Sequence, residues 1–193
     1  MRRIASTSGP HFLPIQEKAI RAGLLEGRNI LASGPTSCGK SLVGDLACLN
    51  QNRRDRAGIL VVPTKALARQ RQEELRRRWA PLGLSVVQSS RDRREADSDI
   101  IAGRYHLAVI VAEKLLALLT QAPQLFAPVG AVVFDEFQML FDEDRGADLE
   151  LLATRLLREE QLQTIGLSAV LAQPAPLARW LNAELVEETE RPV

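Results

Sequence analysis

Short, continuous apolar runs recur along the chain at residues 29–32, 59–62, 107–111, 131–134 and 164–167. Runs of this length without polar alternation fit strands buried on both faces, as in a parallel sheet. Leu84-Ser85-Val86-Val87-Gln88 is a weaker sixth candidate. Between these runs lie helix-compatible stretches near 14–26, 40–50, 65–79, 113–120, 148–159 and 174–182. Asp148 and Glu150 open one of them, where the helix dipole favours acids. The alternation predicts an α/β fold with a mostly parallel sheet and helices on both faces, which binds ligands at the carboxyl edge of its strands. Trp79 and Trp180 end amphipathic stretches and read as core packing. No internal repeat or low-complexity segment interrupts the pattern.

Composition narrows the class. A chain of 193 residues that is 46% hydrophobic and 25% charged can bury one substantial core, so residues 1–193 read as a single domain. No apolar run approaches the roughly 20 residues needed to cross a bilayer, and Met1–Thr7 lacks the apolar centre of a secretory signal. Cys38 and Cys48 share one loop-and-helix segment, which argues against a zinc site or structural disulfide and for a reducing, cytoplasmic setting without a membrane partner. The net charge is +1, unevenly spread: residues 51–94 hold twelve Lys/Arg against four Asp/Glu, and residues 135–193 hold thirteen Asp/Glu against five Lys/Arg. Such a split suits one face turned to a polyanion. Arg69, Arg71, Arg76, Arg77 and Arg78 by themselves read as the solvated face of a helix.

Two segments carry chemistry. Gly34-Pro35-Thr36-Ser37-Cys38-Gly39-Lys40-Ser41 follows a strand-like run and precedes a helix-like one, the context in which G-x-x-x-x-G-K-[ST] is a phosphate-binding loop. Small residues let backbone N–H groups converge on a polyphosphate, and the helix start adds its positive end. Lys40 can reach the terminal phosphates, and the Ser41 hydroxyl can ligate Mg²⁺. A hundred residues on, Ala131-Val132-Val133-Phe134 ends in Asp135-Glu136-Phe137-Gln138. Two carboxylates at the end of a buried strand are costly unless they are occupied. Mg²⁺ on Asp135 and an attacking water on Glu136 would satisfy both, and together the segments point to ATP hydrolysis.

Smaller landmarks fall at other strand ends. Pro63-Thr64-Lys65 ends one strand and opens a helix, a position suited to a backbone phosphate. Glu113-Lys114 and Leu167-Ser168-Ala169 repeat that arrangement. Upstream of the loop, Phe12-Leu13-Pro14-Ile15-Gln16 offers an amide able to read an adenine edge.

In this order the landmarks resemble the motifs of the first RecA-like domain of superfamily 2 DExH-box helicases, across nearly the whole chain. Phe12–Gln16 is similar to the adenine-reading Q motif, 34–41 to motif I and Pro63–Ala68 to motif Ia. Ala112–Leu115 resembles a later nucleic-acid motif, Asp135–Gln138 motif II and Leu167–Val170 motif III. Asp144-Arg145-Gly146 with Leu149-Glu150, the stretch Trp180–Val186 and Arg191-Pro192-Val193 resemble the branch holding archaeal repair and exosome-associated helicases. The resemblance implies a RecA-like P-loop NTPase fold, ATP with Mg²⁺ held by Ser41 and Asp135, and water activation by Glu136. It also implies nucleic-acid contacts from Pro63, Thr64, Lys65, Lys114 and Ser168, with DNA or RNA as the partner.

In this family a second RecA-like domain carries the arginine fingers, and nothing after motif III resembles it. The chain is therefore expected to be an amino-terminal portion that does not unwind alone. Two departures bear on coupling: Gln138 stands where this branch has His, and Val170 where it has Thr. The alternatives are a non-catalytic ATP-gated nucleic-acid-binding module and a small P-loop kinase.

Overall fold

The computed structural model of the chain describes residues 11–189. Met1–Thr7 and Arg191-Pro192-Val193 lie outside those residues. Strands β1 (Ile30–Ser33), β2 (Ala57–Val62), β3 (Val86–Ser89), β4 (Leu107–Val111), β5 (Val129–Phe134), β6 (Gln163–Ser168) and β7 (Glu184–Glu187) form one sheet in the order β3-β4-β2-β5-β6-β1-β7. Every pair in it is parallel.

The apolar runs are buried on both faces, as their pattern predicts. In β5, Ala131 and Val133 point into one core cluster, and Val132 and Phe134 into the other. The first cluster lies under α1 (Pro14–Arg21), α2 (Lys40–Asn52) and α3 (Lys65–Trp79). The second lies under α5 (Ala112–Gln121), α6 (Gly146–Leu156) and α7 (Pro174–Trp180), with Ile100 of the short α4 (Asp97–Ile101). Gly44 lets α2 lie close on the sheet, since a Cβ there would stand 2.7 Å from Val133 Cγ1. That contact draws the helix behind loop 34–39 toward β5.

Two elements escaped the hydrophobic pattern. β7 is an edge strand in which only Val186 is buried, so it carries no apolar run. Charge disguises α4; its Asp97 accepts hydrogen bonds from Ser89 (2.5 Å) and Lys114 (2.6 Å). Trp79 is fully buried, but Trp180 is only half-buried and lines a surface groove with Phe141 and Val170. It still packs against the second core cluster, so the core reading of Trp180 holds for its inner side only.

Candidate functional site

Because all seven strands run the same way, the segments after β1, β2, β4, β5 and β6 gather at one edge of the sheet. The loop 34–39 leaves β1, and its Gly34 N–H donates to Ser168 O at 3.2 Å. Ser37 (φ 71°) and Gly39 (φ 92°) are left-handed, a backbone shape that turns successive N–H groups inward to make an anion nest. The Lys40 ammonium lies across the loop, donating to Gly34 O and Pro35 O, both at 2.7 Å. Ser41 is exposed in the first turn of α2. Both cysteines are free and buried.

Gln16 is placed differently from expectation. It is 1% exposed; its Oε1 accepts from Leu13 N–H (2.9 Å) and its Nε2 donates to Gly39 O (3.0 Å). The amide is committed to the backbone and braces the phosphate-binding loop instead of opening to an adenine edge.

At the end of β5, Asp135 N–H is tied to Val61 O at 2.8 Å, and its side chain is 20% exposed. Burial raises the Asp135 carboxyl above its usual range, Arg71 pulls it back down, and the neighbouring Glu136 and Lys40 act in opposite senses. Hydrogen bonds join the two segments: Gly34 N–H of the loop donates to Ser168 O, and Ser168 Oγ donates to Gln138 Oε1 beside Glu136. Glu136 is exposed and left-handed (φ 54°), a strained conformation for a residue with a Cβ. Phe137 holds this turn, fully buried with its ring 5.0 Å from that of Phe134.

Gln138 then joins three residues. Its Oε1 accepts from Ala169 N–H (2.9 Å) and Ser168 Oγ (3.1 Å), and its Nε2 donates to Glu136 Oε2 (2.5 Å). A backbone N–H can only donate, so Ala169 fixes which end of the amide faces it and leaves the NH₂ for Glu136. Ser168 is fully buried in this bridge, so its reading as a nucleic-acid contact is revised to a link between β5 and β6.

The remaining predicted contacts divide. Thr64 caps α3, accepting from Leu67 N–H at 3.2 Å, and Lys65 is 43% exposed beside Asp92. With Pro63 they line a cleft of about 450 Å³ that continues past Asp135 to Arg145 and Asp148. Lys114 is not offered to this edge: it is 7% exposed and bonded to Asp97, so its reading is revised to a strut between α4 and α5.

Sequence reading missed a buried charge cluster beneath the site. Arg71 is buried, not solvated, and pairs with Asp45, Glu74 and Asp135; half-buried Arg78 pairs with Asp45 and Glu74. The available signal was Asp45 itself, an acid inside the apolar stretch Leu42–Leu49. Burial pushes its carboxyl up to about 6 against the lowering pull of both arginines.

The residues fit a magnesium nucleotide. Asp135 and Ser41 supply hard oxygen donors, yet no group of three or more His, Cys, Asp or Glu among the described residues could hold a metal. Mg²⁺ favours such a site when phosphate oxygens complete its shell. No helix among the described residues is long and apolar enough to cross a membrane.

The sequence matches the DEAD/DEAH box helicase family over residues 13–176. It is 41% identical over 187 residues to the ATP-dependent DNA helicase Hel308 of Methanocaldococcus jannaschii, covering 93% of this chain and 15% of that protein. To Hel308 of Pyrococcus abyssi it is 36% identical over 181 residues, covering 93% and 25%. To that of Thermococcus kodakarensis it is 36% identical over 195 residues, covering 100% and 17%. The chain thus spans a quarter or less of the length of these relatives. The DNA-bound structure of the DUF1998 helicase MrfA superposes with a TM-score of 0.75, covering 91% of this chain and 27% of that one, at 23% identity. That likeness supports the RecA-like fold.

Proposed function

Since the chain belongs to the DEAD/DEAH box helicase family, we propose that it is the ATP-binding motor domain of a DNA-translocating enzyme, acting with a second RecA-like domain that supplies the arginine fingers. The observation that carries this reading is that the Lys40 loop, Asp135, Glu136 and the Gln138 bridge follow parallel strands at one sheet edge and are joined there by hydrogen bonds from Gly34 through Ser168 and Gln138 to Glu136. The relatives' description as DNA helicases favours DNA over RNA as the polymer. Their much greater length favours a first motor domain working beside others.

In this reading the backbone of 34–40 holds the polyphosphate, and Lys40 trades its loop carbonyls for the terminal phosphates. Ser41 and Asp135 would hold Mg²⁺, which would neutralise charge developing on the phosphates. Glu136 orients the attacking water and takes its proton; Gln138 holds that carboxylate in place. Pro63, Thr64 and Lys65 face the DNA backbone, so binding there is sequence-tolerant and weakens with salt. Gln16 supports the loop and contributes no base reading.

The test separates binding from chemistry in the intact protein. Lys40→Ala should abolish binding of a fluorescent ATP analogue. Glu136→Gln should keep that binding and lose DNA-stimulated hydrolysis by roughly 10²- to 10⁴-fold, the range for a general base. Unaltered turnover in Glu136→Gln would sink the enzymatic reading.

A further inference from the structure

Helix α3 starts at the Pro63-Thr64-Lys65 turn and carries Arg71 inward to the acidic end of β5. The Arg71 side chain is 10% exposed. Its Nη1 donates to Glu74 Oε2 at 2.9 Å, its Nε stands 3.8 Å from Asp135 Oδ2, and its Nη2 stands 3.9 Å from Asp45 Oδ1. Nε and Nη2 are buried, and neither closes a hydrogen bond among the described residues. Arg78, seven residues on along the same helix face, donates to Asp45 (2.5 Å) and Glu74 (2.6 Å) but has no ion pair with Asp135.

A buried guanidinium is a poor packing element, because an apolar side chain of similar volume fills space without the cost of desolvating a charge. Arg71 lowers the Asp45 carboxyl together with Arg78, but Arg78 alone closes a hydrogen bond on that carboxylate, while Arg71 stands 3.9 Å from it. What Arg71 adds is its approach to Asp135 from behind the sheet edge.

We propose that Arg71 is a positioning residue for Asp135, fixing the orientation in which that carboxylate takes Mg²⁺ with the nucleotide. The proposal rests on the function assigned to Asp135 above. Groups that orient a metal-binding carboxylate act on metal affinity without touching the metal, and their loss costs about 10- to 100-fold. The geometry also joins the DNA-facing turn to the metal carboxylate through one helix.

The test is a Mg²⁺ titration of fluorescent ATP-analogue binding to the intact protein, comparing Arg71→Met, Arg71→Lys and Arg78→Met. Arg71→Met should need about 10- to 100-fold more Mg²⁺ for half-maximal metal-dependent binding, with binding in EDTA unchanged. Arg71→Lys, which keeps the charge, should recover most of that loss. Arg78→Met perturbs the same buried cluster and should keep the wild-type midpoint.

Equal midpoints for Arg71→Met and Arg78→Met, whether shifted or not, overturn the proposal. Should Arg71→Met fail to fold, Arg71→Gln takes its place under the same criterion. Failure of the wild-type protein to bind the analogue would instead overturn the nucleotide site itself, so the two results are separable.

Discussion

Replacing Gln138 with Ala removes the bridge from Glu136 to Ser168 and Ala169 in one step. Three hydrogen bonds disappear: one from the amide to a carboxylate, and two accepted by the amide oxygen. A bond to a charged group contributes about 1.5–3 kcal/mol and a neutral one about 0.5–1.5 kcal/mol. The larger value bears on catalysis, because Glu136 sits in a strained, exposed turn and this is its one side-chain hydrogen bond among the described residues. At about 1.4 kcal/mol per factor of ten, losing its orientation lowers kcat by roughly 10- to 100-fold.

Gln138 makes no hydrogen bond to loop 34–40, so the dissociation constant for an ATP analogue should stay within about threefold, near the noise of a single lost neutral contact. The assay is steady-state ATP turnover of the intact protein with saturating single-stranded DNA, beside analogue binding. Gln138→His sharpens the result. A neutral imidazole can donate to Glu136 and accept from Ala169, whereas an imidazolium only donates and faces the Ala169 N–H as a second donor. That variant should keep most of its turnover at pH 8 and lose it below about pH 6.5, a loss beyond any the wild type shows. Undiminished kcat in Gln138→Ala, or an equal loss in analogue binding, would refute the bridge as a catalytic element.

Lys65 and Asp45 give two further expectations. Lys65→Ala should weaken binding to all single-stranded DNA sequences alike and reduce the slope of log K against log salt by about 1, as read from titrations at several salt concentrations; a sequence-dependent loss would argue against a backbone contact. For Asp45, burial raises the folded pKa from 3.8 to about 6. The folded state therefore binds this proton more tightly than the unfolded chain does. Its contribution to stability is complete below pH 3.8 and fades as pH rises through about 6. Two units at about 1.4 kcal/mol each make that change about 3 kcal/mol. Asp45→Asn lacks the proton, so the stability advantage of wild type over the variant in denaturant melts should shrink between pH 4.5 and 7.5; an advantage that grows instead would show that the arginine pairs outweigh desolvation.

The strands inside the sheet were legible because both their faces are apolar, as Ala131, Val132, Val133 and Phe134 show, and period alone marks such runs. β7 was not, since an edge strand with one buried residue leaves no such trace. The glycine loop 34–41 and Asp135-Glu136 stood out as residue types at fixed spacing, and the structure brings both to one sheet edge. The direction of the other polar side chains was not legible. Gln16 lies in the first turn of a helix and Lys114 and Ser168 at strand-to-helix turns, where sequence offers ligand and scaffold as equal uses; a backbone carbonyl claims Gln16, a carboxylate Lys114 and a side-chain amide Ser168, each on a distant segment. Arg71 was misread for the converse reason. A run of arginines looks solvated unless the acids that draw one of them inward are known, and Asp45 and Asp135 are 26 and 64 residues away in sequence.

The two departures at motifs II and III are linked by geometry. Val170 stands where the family has a hydroxyl and is 63% exposed, so this position offers no polar contact to Glu136 or Gln138. The link from β5 to β6 then runs through Ser168 Oγ and Ala169 N–H, and both converge on the one amide oxygen of Gln138. An amide suits that duty because its acceptor and donor ends are fixed and do not titrate near neutrality. Here Gln138 satisfies both strands with its two ends, so the residue that departs from the family at this position supplies a connected path from Ala169 to Glu136. A shift of β6 relative to β5 would move the Glu136 carboxylate through this path, in a turn that its surroundings hold at φ 54°.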